Sequence, residues 1–379
     1  MVELKEKQKS ARARWWRLCP VRHALSLFGL LLIAAYFALR RSATVMAWLS
    51  AHLVRPWHRL VSRLLAPLPF SMAEALIVLG VLAGSVYIII FLVQIIRKPS
   101  RWKRLYRFLL LCLTVFSLVY GGFCLLWGVY YYTADFEDQS GIRGGAVSAE
   151  QLAAVTRHFT RLVNSYGEAV ARDGDGVFCE DLESIFAASP ALYDAVAAEI
   201  PCLSGDRLAA KPFHFSKILS YLNFTGFFSP FTGEANINVD SPAALIPATI
   251  AHEISHQRGV AQEDEANFAG ILACLENGDP VYCYSACLLA YIHLGNALYR
   301  ADYAAWEENY RHLSDGVLAD LEANRSYWAR FETPAATVSD TVYTGFLESY
   351  GQTLGLQTYG KCVDLLAAYY YDAAREGVS

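Results

Sequence analysis

Three long apolar runs without a charged residue dominate the first third of the chain: Ala24 to Leu39, Ala75 to Ile96 and Phe108 to Tyr132. The second and third hold 22 and 25 residues, enough for a helix to cross a hydrocarbon layer of ~30 Å at ~1.5 Å per residue. The first is shorter, but Arg40 and Arg41 follow it without a small-x-small cleavage pattern, so it is expected to stay as an anchor rather than be removed as a signal peptide. Between the first two runs, Leu49, Leu53, Trp57, Leu60 and Leu64 recur at spacings of four and three, with Arg55, Arg59 and Arg63 on another face. That pattern predicts an amphipathic helix over about 46–65, either lying in the membrane interface or packed against the spans.

Beyond residue 132 the pattern changes. The acidic, glycine-containing stretch 135–145 reads as a tether. Ser148 with Gln151 forms a candidate capping box before an amphipathic run ending near Gly174, and Asp181 to Ala198, Tyr282 to Tyr299 and Tyr303 to Arg330 have helical apolar spacing. One segment alternates instead: Gly233 to Val239, after a Pro230-Phe-Thr-Gly233 turn, predicts a short β edge strand. The expected architecture is mainly α: a membrane anchor over 1–132 with three transmembrane helices, then one mostly helical domain over 133–379, long enough to bury its own core.

Charge sharpens this division. The formal net charge of −4 conceals 18 Lys/Arg against 3 Asp/Glu in residues 1–132, and 14 against 33 in the remainder. The positive charge flanks the apolar runs, seven residues before the first, five between first and second, six between second and third. Because positive charge collects on the cytoplasmic side, the amino terminus and the second loop are expected inside and the large domain outside, making this a multi-pass protein of the cell membrane with an extracytoplasmic domain. Nucleic acid is excluded as a partner, since such a protein presents its positive charge on a folded, accessible face. With 55% hydrophobic and 13% aromatic residues, disorder is excluded too. No acidic or basic residue interrupts the interior of a span, which disfavours a channel or proton pathway. Six cysteines lie beyond the spans, Cys179, Cys202, Cys274, Cys283, Cys287 and Cys362; they admit disulfides in an extracytoplasmic setting or small buried apolar thiols.

The chemistry concentrates in His252-Glu253-Ile254-Ser255-His256. Pro247 suits a first helical turn and Gly259 a left-handed stop, so one helix should hold the pentapeptide. Residues four apart stand one turn above each other, so both imidazoles can meet one zinc ion while Glu253 projects beside its water. Chance alone yields this pentapeptide in roughly one chain in a hundred of this composition, so its surroundings matter. A third ligand is required, and Gln262-Glu263-Asp264-Glu265-Ala266-Asn267 offers it. The order Glu-x-x-Ala-Asn resembles the Glu-x-x-small-Asp element of thermolysin-like zinc peptidases, which implies Glu263 as ligand and Asn267, in place of the usual Asp, orienting a ligand histidine. The run through Gly259 also resembles the metzincin pattern and leads to the same place. Glu263 is preferred over Glu265, and Asp264 ranks third.

The segments Pro230 to Asn236, His252 to Gly259 and Glu263 to Phe268, behind three spans, resemble the bacterial membrane proteins grouped as domain of unknown function 3810, over nearly the whole chain. The resemblance implies a zinc-peptidase-like domain on a membrane anchor, with no established substrate. The expectation is therefore a zincin-like fold and a membrane-anchored zinc metallopeptidase: Zn²⁺ held by His252, His256 and Glu263, Glu253 as general base, a peptide or protein as substrate and the lipid bilayer as surroundings. The alternative is a catalytically silent binding or scaffold module on the same membrane tether. Zinc peptidases often add a Tyr, His or Arg that stabilises the oxyanion; the sequence offers Tyr343, Tyr350 and Tyr359 without a means of choosing, and each reads rather as a core or surface aromatic, as His214 and His293 read as structural histidines rather than ligands.

Overall fold

A computed structural model describes residues 18–97, 99–350 and 360–376; Tyr359 lies outside the described residues. The chain divides into two compact units, one of Met1–Val54 with Glu74–Thr133 and the other of Arg55–Ala73 with Ala134–Ser379.

In the first unit, α1 (Pro20–Leu39), the body of α4 (Met72–Arg97) and α5 (Arg101–Phe123) carry the apolar runs, and the short α2 (Ala43–Leu49) follows α1. Each run is apolar around its whole circumference, so the helices suit an apolar solvent, and α1, α4 and α5 are long and apolar enough to cross a membrane. Helices α1 and α5 meet through small residues. A Cβ on Gly29 would stand 2.6 Å from the carbonyl carbon of Ser117, and Ser26 and Thr114 share a hydrogen bond of 2.8 Å nearby. Close backbone approach of this kind is how helices associate where burial of apolar surface supplies no drive. The third apolar run does not end as a simple α-helix: a π turn over Cys124–Gly128 and a 3₁₀ turn over Tyr130–Tyr132 finish it.

The second unit is mainly helical around a three-stranded sheet. It begins with α3 (Arg55–Leu65), then takes in α6 (Phe136–Ser140), α7 (Ala149–Gly167), α8 (Leu182–Ala188), α9 (Asp194–Glu199), α10 (Ser216–Tyr221), α11 (Ile246–Gln257), α12 (Glu263–Asn277), α13 (Pro280–Ala301), α14 (Tyr303–Arg311), α15 (Asp315–Ala329), α16 (Pro334–Ser349) and α17 (Gly360–Glu376). The capping box at Ser148 and Gln151 starts α7 with both reciprocal hydrogen bonds. Helix α7 buries Val155, Phe159 and Val163 on its core face, against α13. Helix α13 is itself long and apolar enough to cross a membrane, but 72% of its apolar window is buried inside the unit; it is the core helix. Residues 303–330, expected as one helix, form two. The backbone breaks at 312–314, where Asn164 of α7 accepts from the Ser314 amide and donates to the His312 carbonyl, and Ser314 precedes α15 as its N-cap residue. A tertiary clamp overrides the local periodicity.

The sheet has order β1-β3-β2, with β1 Lys211–Phe213 parallel to β3 Glu234–Asn238, and β2 Gly226–Ser229 antiparallel to it, Gly226 opposite Ile237 and Ser229 opposite Glu234. The strand expected at the sheet edge is therefore central. Its side chains are buried on both faces, and β2 takes the edge position. The β2–β3 turn closes at Gly233, whose φ of +67° falls where side chains are strained. All nine cysteines are free thiols; Cys274, Cys287 and Cys362 are buried among apolar residues, and Cys283 is buried as well.

Candidate metal centre

Helix α11 is held from both sides, by the sheet on one flank and by α12 and α13 on others. Pro247 lies in its first turn. After Gln257 the chain reverses through Gly259, at φ +94°, and re-enters a helix at Glu263. A Cβ on Gly270 would be 3.0 Å from the backbone nitrogen of His252, so α11 and α12 cross almost backbone to backbone. That proximity brings the start of α12 to the two histidines.

The geometry follows from these constraints. Glu263 Oε2 lies 3.1 Å from His252 Nε2 and 3.5 Å from His256 Nε2, and one donor atom from each of the three residues falls within 4.8 Å of the others. Two ligands on a tetrahedral zinc at ~2.0–2.1 Å stand about 3.3 Å apart, so the donor set fits that ion. The rear nitrogens are engaged. His252 Nδ1 donates to Asn267 Oδ1 at 2.8 Å, and His256 Nδ1 donates to the carbonyl of Val260 at 2.7 Å. These contacts fix both rings with Nε2 turned inward and deprotonated when a metal is held. Asn267 lies one helical turn beyond Glu263, so α12 supplies a candidate ligand and a ring-orienting group from one face.

Glu253 does not join this triangle. It is buried, and its Oε2 has no hydrogen-bond partner. Burial pushes its carboxyl up to about 7, opposed by His252 and His256. Strand β2 closes over it: a Cβ on Gly226 would stand 2.9 Å from Glu253 Oε1 and 2.9 Å from the Asn236 carbonyl. Only glycine fits there. Among the candidate ligands, burial disfavours charge, yet the paired interaction wins: Glu263 is held well below the ordinary carboxylate range by His256 and His252, and His256 rises to about 9 through Glu263. Without metal the cluster keeps a proton between acid and imidazole, which a bound cation displaces.

The neighbouring acids are committed elsewhere. Glu265, 1% exposed, accepts from Lys361 Nζ at 2.7 Å and from the Phe136 amide at 3.0 Å, and Lys361 also pairs with Glu137 and Asp135. This second carboxylate cluster already surrounds an ammonium. Asp264 is buried, its carboxyl raised to about 7 by desolvation, with Lys361 opposing and Glu263 and Asp364 adding to the rise. His293 is a buried imidazole lowered to about 4 by desolvation, with His252 adding to the effect.

The structure also brings in a residue the sequence gave no reason to choose. Tyr343, on α16, donates its phenolic proton to Glu263 Oε1 at 2.6 Å, while its ring packs edge-on against Phe224 at 5.3 Å. Helix α16 is tied to the chain just before β2 by Ser339 donating to the Leu222 carbonyl and Asn223 donating to Asp340. The Tyr343 bond occupies the outer oxygen of Glu263 and leaves Oε2 toward the histidines. Tyr343→Phe is expected to weaken zinc binding about 10-fold or more in a competition titration, as loss of a partner to a ligand does; unchanged affinity would show that Glu263 needs no such restraint.

A family model described as "Protein of unknown function (DUF3810)" matches residues 50–367, and the chain belongs to that family. No curated protein matches the chain, and neither does any solved structure.

Proposed function

We propose that this protein is a membrane-anchored metallopeptidase in which His252, His256 and Glu263 hold zinc and Glu253 is the general base. The observation that carries the reading is the triangle of inward-facing donors, each oriented from behind, with a buried carboxylate of unspent hydrogen-bonding capacity beside it. A site that only stabilised the fold would close its coordination with a fourth protein ligand and would have no use for Glu253. When bound, zinc supplies Lewis acidity, polarising a scissile carbonyl and lowering the pKa of a water in its sphere toward ~7. Glu253 takes the proton from the attacking water and returns it to the departing amine. Asn267 and Val260 hold the histidine rings, and Tyr343 holds Glu263. Because β3 is paired on both edges, an extended peptide would add to an edge strand, and β2, whose Gly226 lies against Glu253, is the edge strand beside the site. The Lys and Arg residues that flank the apolar runs support a cytoplasmic amino terminus with this unit on the other side of the cell membrane.

Residues 55–73 belong to the same compact unit as the site, so the full chain is the proper specimen. Metal analysis of the detergent-purified protein should find about one zinc per chain, and the zinc-loaded protein should cleave members of a peptide library. Absence of zinc would remove the reading. Zinc without cleavage of any peptide would favour a silent binding module.

A further inference from the structure

Helix α3 carries its polarity inside out. The face it turns toward its own unit presents His58 and Ser62, both buried, whereas Trp57, Leu60 and Leu64 are 41%, 58% and 68% exposed. Those three residues follow one stripe of the helix. An apolar stripe over successive turns, backed by a buried polar face, is not a solution that water favours, since each such side chain is stabilised by removal from it. Connectivity names the solvent. Six residues, 66–71, separate α3 from α4, and at ~3.3–3.6 Å per residue they reach about 20–25 Å at most. Helix α4 is the most apolar helix long enough to span a bilayer, and none of its apolar window is buried. Wherever α4 enters a membrane, α3 is leashed to that surface. Arg59, exposed on α3, adds the charge that anionic headgroups attract.

We infer that α3 docks on an anionic lipid surface through Trp57, Leu60 and Leu64, and that its inner face carries the β2–β3 hairpin, so that the bilayer positions the strand over Glu253. The connections are direct. His58 donates to the Pro230 carbonyl at 3.0 Å and packs edge-on against Phe228. Gly233 lies so close that a Cβ there would be 3.0 Å from the His58 carbonyl oxygen. Gln257, adjacent to His256, donates to the Gly233 carbonyl at 2.8 Å. Arg63 and Asp206 add a two-pronged ion pair at 2.6 and 2.7 Å, which holds α3 to the segment before β1.

The test uses the full chain in vesicles of phosphatidylethanolamine and phosphatidylglycerol, with a photoreactive benzoyl-phenylalanine replacing Leu60, Leu64 or, as a control, Tyr310, an exposed aromatic on α14. Irradiation should give adducts of one phospholipid mass at positions 60 and 64 and not at 310. Adducts to a second copy of the chain or to another protein, or lipid adducts no more frequent than at 310, would overturn the docking. The double variant Leu60→Glu, Leu64→Glu alters only exposed side chains. In the same vesicles its amides over 226–238 should exchange hydrogen at least about 3-fold faster than those of the parent; equal rates would overturn the link between lipid and hairpin. Neither readout depends on metal binding or hydrolysis.

Discussion

Glu253→Gln is expected to keep about one zinc per chain and lose roughly 10²–10⁴-fold in the rate of peptide hydrolysis, the range a positioned general base contributes. The amide is nearly the same size as the carboxylate, so it can occupy the space under Gly226 without displacing β2. It cannot accept a proton from water. His252→Ala should give the opposite pattern, with metal lost and activity lost together, because only two inward donors remain. The pair of measurements separates roles that a loss of activity alone would merge. If Glu253→Gln stripped the metal as His252→Ala does, Glu253 would be a ligand and the assignment of base and ligands would be wrong.

Lys361→Met should produce the largest loss of stability, roughly 3 kcal/mol, the lower end of what breaking a buried pair costs because the ammonium is 29% exposed. The substitution preserves the length of the side chain but leaves Glu265, 1% exposed, with the Phe136 amide as its hydrogen-bond donor, beside Asp135 and Glu137. Thermal unfolding of the detergent-solubilised protein should shift down by about 6–12 °C, given ~2–4 °C per kcal/mol for a unit of this size. Adding Glu265→Gln should recover part of the loss, since it removes the uncompensated charge. A shift under about 2 °C would mean that water already solvates this cluster.

The candidate site was readable to an unusual depth in its local parts. The first turn at Pro247, the reversal at Gly259 and the inward pairing of His252 with His256 follow from short-range rules about helix starts, helix stops and a four-residue repeat. Glu263 and Asn267 were chosen through the resemblance of Glu-x-x-Ala-Asn to an element of zinc peptidases, and α12 sets the two residues one turn apart near His252. Tyr343 was not reachable. It is 80 residues from its partner, and a tyrosine in a helical pattern looks the same whether it meets a carboxylate or an apolar core. The split between α14 and α15 was hidden for the same reason, since the group that clamps it belongs to α7.

The stripe on α3 gave no sign of which side of that helix its own unit would bury. Hydrophobic periodicity is normally read as the side that faces the fold, but here the buried side is His58 and Ser62. Their contacts are hydrogen bonds and ring edges to the hairpin, which periodicity does not register. The central position of β3 was also concealed: a strand buried on both faces and one at an edge share the same short alternating signature, and β1 and β2 have only three and four residues each.

The discontinuity of the second unit bears on how the protein is made. Arg55–Ala73 emerges from the ribosome long before the residues it packs against, with two apolar helices and their connecting loop in between. The early segment must wait, partnerless, while α4 and α5 are threaded into lipid and Pro230 and Gly233 are synthesised. If α4 and α5 enter a membrane, maturation of the second unit waits on that insertion, and a ribosome-bound chain arrested before residue 230 would lack the contacts that secure α3.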